Sequence, residues 1–294
     1  MIARPTRGGL RLRPNLFALR RLARLQPDAQ LAAARVSADL RIRRLSELLV
    51  APLGLSADVE LVVIPLPGLD GVPWAALHGS PVGLAPSATL WARTADTVNA
   101  RPGSDDATQS VTLVAGPGLP GAIDEVDSIA RLYPSARRIT PPDSTADAVA
   151  EALADAGLAH LACHGALRAD NPMFSSLVLS DGPMTVQELY TRGLAPPRLI
   201  LASCESGGQA SYAGNEVLGF VSALLARGTV GILASAAAVP DVPAVGLMTA
   251  VHRGLADGCT LARALHRAGN RRTPRIQAAS STGAPSMPTG RPRE

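Results

Sequence analysis

His164 and Cys204 are the two residues whose types and settings best suit joint chemistry. Each follows an apolar run. One reads Leu158-Ala159-His160-Leu161-Ala162-Cys163-His164-Gly165, the other Arg198-Leu199-Ile200-Leu201-Ala202-Ser203-Cys204-Glu205-Ser206-Gly207. A thiolate is the competent nucleophile of cysteine, and a neighbouring imidazole helps it form at neutral pH. Small residues around Cys204 let the backbone turn tightly and let a substrate come close. Gly165 leaves its backbone N–H uncovered, and this N–H with that of Cys204 suits a developing oxyanion, at about 3–4 kcal/mol per donor. His160 reads as a structural histidine, and His78, His252 and His266 lack a comparable setting. Cys163 and Cys259 read as small buried hydrophobes. A zinc site built from Cys163, His164 and Cys204 lacks the short Cys-x2-Cys spacing of most such sites, so neither metal nor cofactor is expected.

For the pair to meet, the two apolar runs must be parallel neighbours in one sheet. A separation of forty residues with a helical crossover allows that. Both side chains then emerge at the carboxyl edge, where open α/β sheets place their ligands. The surrounding pattern supplies such a sheet. Strands are expected at 60–64, 82–85, 111–115, 158–163, 176–179, 198–202 and 230–234. Helices are expected from about Ser87, at 122–132, at 145–156 with Thr145 or Ser144 as N-cap, near 186–190, at 215–226, 243–255 and 261–268. Such alternation implies an α/β sandwich with a mainly parallel sheet. Residues 99–110 are polar and rich in Gly and Asp, as a surface loop would be.

Composition narrows the class. Hydrophobic residues make up 47% of the chain and aromatics only 3%, so the core is built from Leu, Val and Ala. Three cysteines do not make a disulfide framework, no apolar run approaches the roughly 20 residues of a membrane span, and no signal-peptide core opens the chain. A soluble cytoplasmic protein is expected. All 28 basic residues are Arg. They crowd the ends: net charge is +9 over residues 1–44, −9 over 45–269 and +4 over 270–294. A nucleic-acid binder usually carries its basic patch on the folded body, so no nucleic-acid partner is expected. Residues 1–44 read as an Arg-rich, partly helical leader, with an amphipathic helix over 29–50 expected to dock on the core or a neighbouring domain rather than a membrane. Residues 45–269 form the folded domain and 270–294 a disordered tail.

Gly116-Pro117-Gly118-Leu119-Pro120-Gly121 matches the G-x-G-x-x-G dinucleotide fingerprint, with Arg137 and Arg138 where a 2′-phosphate reader might stand. Pro120 removes a donor that a pyrophosphate needs, and Pro117 stiffens the turn that must wrap it. A nucleotide-binding α/β enzyme is therefore only a lesser alternative.

Taken together, several stretches resemble the CHAT domain, the caspase-like module of the separase, caspase and gingipain class of cysteine peptidases. The resemblance covers roughly residues 45–268 and rests on order and spacing rather than on any single motif. Its marks are Leu61-Val62-Val63-Ile64-Pro65, Gly71-Val72-Pro73-Trp74-Ala75-Ala76-Leu77, Leu84-Ala85-Pro86-Ser87, Glu125, and His160 with His164-Gly165. They continue with Asn171-Pro172, Ser175-Ser176-Leu177, Leu201 through Gly207, Gly214-Asn215-Glu216-Val217-Leu218-Gly219, and Ala234-Ser235 through Asp241. The resemblance implies a caspase-like three-layer α/β/α sandwich and an endopeptidase dyad. Cys204 attacks a peptide carbonyl, His164 moves the proton, and the Gly165 and Cys204 N–H groups hold the oxyanion.

Two departures from the family pattern matter. Where a Trp commonly follows a Ser-Leu pair, this chain has Ser235-Ala236-Ala237-Ala238-Val239-Pro240-Asp241, which widens or reshapes the substrate cleft. Ser235 borders that cleft, and one of Asp170, Glu205 and Asp241 is expected to read a basic P1 side chain. At most two helices precede the domain, where relatives often carry helical repeat sensors. The expected partners are thus a protein or peptide substrate and a regulatory protein that makes a resting cleft productive. A catalytically silent binding or signalling scaffold on the same fold is the alternative.

Overall fold

A computed structural model describes residues 28–56, 58–66, 69, 72–99, 110–166, 168, 171–202, 224–234 and 241–272. Its centre is a five-stranded, wholly parallel sheet of β3 (Val111–Ala115), β4 (Arg137–Ile139), β5 (Leu158–Ala162), β9 (Arg198–Leu201) and β10 (Gly231–Ala234), in the order β10-β9-β5-β3-β4. Before it, β1 (Leu61–Val63) and β2 (Val82–Leu84) form a parallel pair. Between β5 and β9 the chain makes an antiparallel sheet of β6 (His164–Ala166), β7 (Ser176–Leu179) and β8 (Gly182–Thr185).

The helices are α1 (Asp28–Leu49), α2 (Ala88–Asn99), α3 (Pro120–Ala130), α4 (Ala146–Ala154), α5 (Val186–Thr191), α6 (Asp241–Ala256) and α7 (Leu261–Arg272). Local chemistry starts several of them. Pro120 opens α3, where its missing N–H and fixed φ cost nothing. The Thr145 hydroxyl accepts from Ala148 N–H and caps α4. Thr185 and Glu188 close a capping box on α5, the hydroxyl accepting from Glu188 N–H and the carboxylate from Thr185 N–H.

Two hydrophobic layers sandwich the sheet, and strand alternation assigns residues to them. Val111, Leu113, Ala115, Leu158, Ala162 and Ile200 face α3, α6 and α7 through Val126, Ile129, Val251, Leu255 and Ala264. Val114, Ala159, Leu161, Leu199 and Leu201 face the other way, toward α4, α5 and the antiparallel sheet. A smaller core of Leu45, Val50, Val72 and Leu77 joins the end of α1 to the segment after β1. This is a three-layer α/β/α sandwich with a parallel central sheet, as the sequence implied.

Several boundaries shift. The helix expected over 122–132 begins at Pro120 and ends at Ala130, and α7 continues through Gly269 to Arg272. Strands β4, β6 and β8 escape the sequence reading: β4 carries Arg137 and Arg138, β6 carries His164, and β8 contains Pro183. Helical residues 224–227 overlap the end of the helix expected at 215–226, whose earlier part lies outside the described residues. Residues 1–27, 100–109 and 273–294, on which the leader, loop and tail readings fall, lie outside the described residues. No helix among the described residues is long and apolar enough to cross a membrane.

Ile200 is fully buried at the centre of the helical face. Ile200→Ala is expected to cost about 2–5 kcal/mol, read as a fall in melting temperature of about 4–20 °C in a thermal scan.

Candidate active site

The parallel sheet begins at β3, steps out to β4, then returns across β3 to place β5 on its other side. The strand order therefore reverses between β3 and β5, and the carboxyl ends of those strands flank the crevice where sheets of this kind bind ligands. The chain leaves β3 through Gly116-Pro117-Gly118-Leu119 and leaves β5 through Cys163-His164-Gly165.

These two exits interlock. Gly116 N–H donates to the Ala162 carbonyl (2.8 Å), and a Cβ on Gly116 would stand 2.8 Å from Val178 O and 3.0 Å from both Cα and Cβ of Cys163. Only glycine fits there. Gly118 has φ +72°, and its carbonyl accepts from His164 Nε2–H at 3.2 Å. A carbonyl only accepts, so the proton sits on Nε2, and Nδ1 is the basic nitrogen of the neutral ring. His164 and Gly165 are half-buried, paired across β6–β7 with Val178 and Leu177. Just beyond, the fully buried Ser175 accepts from Arg168 N–H (3.0 Å) and fixes the return of the chain.

β9 lies beside β5 with Leu158 opposite Arg198 and Leu161 opposite Leu201, an offset of forty residues at every pair. Ala202 N–H donates to the Leu161 carbonyl (3.0 Å), which carries the register to the edge. The parallel neighbours that the dyad requires are therefore present. Cys204, Glu205, Asp170 and Ser235 lie outside the described residues, and Asp241 is the first residue of α6.

The other two cysteines have different settings. Cys163 is fully buried, and burial pushes its thiol up to about 12, so it stays protonated at neutral pH. Cys259 follows α6, which starts after β10 and runs about 24 Å back toward the amino edge of the sheet. There Arg267 Nη1 donates to its sulfur at 2.8 Å. Arg137 and Arg138 pair with Glu151 and Asp127 on the surface of β4. Among the described residues, no group of three or more His, Cys, Asp or Glu side chains is arranged to hold a metal ion.

Below the edge lies a row of buried polar groups that spacing did not reveal. His160 Nε2 donates to Glu125 Oε1 (2.9 Å), His160 Nδ1 meets His252 Nε2 (3.1 Å), and His252 Nδ1 meets the Tyr133 hydroxyl (3.3 Å). That hydroxyl donates to the His252 carbonyl at 2.9 Å. The signal was present in the sequence as intrusions: Glu125 falls on the apolar stripe of Ala122, Val126 and Ile129, and His160 interrupts an otherwise apolar strand. His252 was set aside as lacking a setting, and Tyr133 was not singled out. Gly118 stands in the sequence as one glycine of the G-x-G-x-x-G match, whereas its carbonyl is what touches His164.

The profile of the CHAT domain matches residues 39–281, and the chain belongs to the CHAT domain family, which is related to the caspase-like cysteine peptidases. No curated protein matches it.

Burial first, and His160 second, hold His252 well below the ordinary histidine value of 6.5. The unfolded chain therefore takes up a proton as pH falls through 6.5 while the folded chain does not, so His252 favours folding fully above that pH and progressively less below it. The melting temperature is expected to be lower at about pH 5.5 than at about pH 7.5, and His252→Gln should flatten that slope. In native protein, iodoacetamide is expected to leave Cys163 unmodified.

Proposed function

We propose that the protein is a cysteine endopeptidase of the CHAT, caspase-like type, acting through His164 and Cys204. The observation that carries this reading is the constant forty-residue register of β5 against β9, because His164 and Cys204 are separated by the same forty positions. Each is the second residue after a level pair, Ala162 and Ala202, at the edge where the strand order reverses.

In this mechanism Nδ1 of His164 takes the Cys204 proton, while the Gly118 carbonyl keeps Nε2–H oriented and stabilises the imidazolium that forms. The thiolate attacks the peptide carbonyl, and the Gly165 and Cys204 N–H groups hold the oxyanion. His164 returns the proton to the leaving amine, and water, deprotonated by the same ring, hydrolyses the thioester. One of Asp170, Glu205 and Asp241 reads a basic P1 residue, Ser235 borders the cleft, and a regulatory partner makes a resting cleft productive.

The test is labelling by an electrophile carrying an arginyl peptide, with the modified site mapped by mass spectrometry. Modification confined to Cys204 and lost in His164→Ala is expected, with cleavage after Arg or Lys preferred across a peptide panel. Equal, slow labelling of all accessible thiols, with or without His164, would favour the silent scaffold instead. Cleavage without preference for a basic P1 residue would remove the acidic pocket from the proposal.

A further inference from the structure

We propose that Glu125, His160, His252 and Tyr133 are positioning residues for His164: a buried polar chain that fixes where the proton-transferring imidazole and its carbonyl partner meet. The inference rests on the reading of His164 as the proton-transferring residue.

Two contacts join the chain around α3 to β5. At the edge, Gly118 O meets His164 Nε2; deeper, Glu125 Oε1 meets His160 Nε2. Along β5 these contacts are four residues apart, about 13 Å. Along the other segment, the two steps through the extended Leu119 and five helical ones span about 14 Å. The spans match, so both contacts form at once only at one axial position of α3. A slide or rotation of the helix that breaks the lower contact carries the Gly118 carbonyl away from the imidazole.

The buried polar chain also reaches α6, the helix that follows β10 in the sequence. His252 lies on α6, which begins at Asp241, directly after the segment 235–240 that leaves β10. Tyr133, just past the end of α3, donates to the His252 main-chain carbonyl and fastens the two helices together. One buried cluster thus references β5, α3 and α6 to one another.

The donor order shows why this cluster is stiff. With the Tyr133 hydroxyl given to the His252 carbonyl, His252 Nδ1–H is the donor to Tyr133 and His252 Nε2 is an acceptor. His160 then donates from Nδ1 to His252 and pairs through Nε2 with Glu125. His160 and His252 are fully buried and Glu125 nearly so. Removing one member leaves the next unpaired away from water.

The experiment compares Glu125→Gln, Glu125→Ala and Tyr133→Phe in the full chain, each also carried on Cys204→Ser. Imidazole ¹⁵N shifts of His164 are recorded in the Cys204→Ser set, and Cys204 labelling rates in the other. In the parent, His164 is expected as the Nε2–H tautomer. In Glu125→Ala it should exchange between tautomers, and Cys204 labelling should slow by about tenfold or more, the scale set by misplacement of about an ångström. Glu125→Gln, which keeps an acceptor, should largely restore both. Tyr133→Phe should move both in the same direction by less, and serves if Glu125→Ala does not fold. Unchanged His164 shifts in a folded Glu125→Ala or Tyr133→Phe protein would overturn the proposal and reduce the chain to core stability. Because the tautomer is read without a reactive Cys204, that outcome is separable from a failure of the peptidase reading, which appears as a parent Cys204 no faster than an ordinary thiol.

Discussion

A parallel strand with partners on both sides cannot slip by one residue without exchanging the side chains of its two faces. β5 is held this way between β3 and β9, with all five of its residues buried. Its register puts His160 on the face of α3 and α6, Leu161 on the opposite face, and Cys163 against the turn at Gly116. The arrangement at the carboxyl edge follows from that one alignment. His164 reaches Gly118 because Cys163 and Gly116 are in close contact, and they are in close contact because β3 and β5 pair level from Val111 and Leu158 to Ala115 and Ala162.

The polar groups of the structure divide into two kinds with different consequences. Arg137 with Glu151, Arg192 with Asp147 and Arg44 with Glu47 are exposed pairs, each worth little because water competes for both partners. The groups between α3, β5 and α6 have no water to fall back on, so their geometry is enforced by the cost of leaving any of them unmatched. Buried apolar packing holds the layers together but tolerates small slides. Directional hydrogen bonds in the same layer do not.

Much of this was legible in the sequence. The order of strands and helices from Val111 onward followed from apolar periodicity, and residue type and place narrowed the cap of α4 to Thr145 or Ser144, of which Thr145 serves. What escaped was whatever depends on contacts far apart in the chain. β4 opens with two arginines and β8 contains a proline, so neither resembles a strand until a neighbour is supplied. Glu125, Tyr133, His160 and His252 span 127 residues and become one group only after the sheet and two helices assemble. The parallel adjacency of the two apolar strands that precede His164 and Cys204 was legible because a forty-residue offset leaves room for a crossover between neighbours. A main-chain carbonyl such as that of Gly118 has no residue type to give it away.

The last helix has a consequence for how the molecule is made. α7 lies against β10 and β2, Arg263 pairs with Glu60 near the start of the domain, and Ala264 and Ala268 complete the layer over Leu113 and Ile200. On the ribosome, strands β5 and β9 are therefore finished well before the layer that covers them. Until α6 and α7 emerge, α3 alone covers one face of the sheet and His160 has no imidazole partner. A nascent chain thus passes through an interval with that apolar surface only partly covered, the condition under which chaperone capture or aggregation competes with folding. The cover over that face is complete only once the residues through Arg272 have left the ribosome.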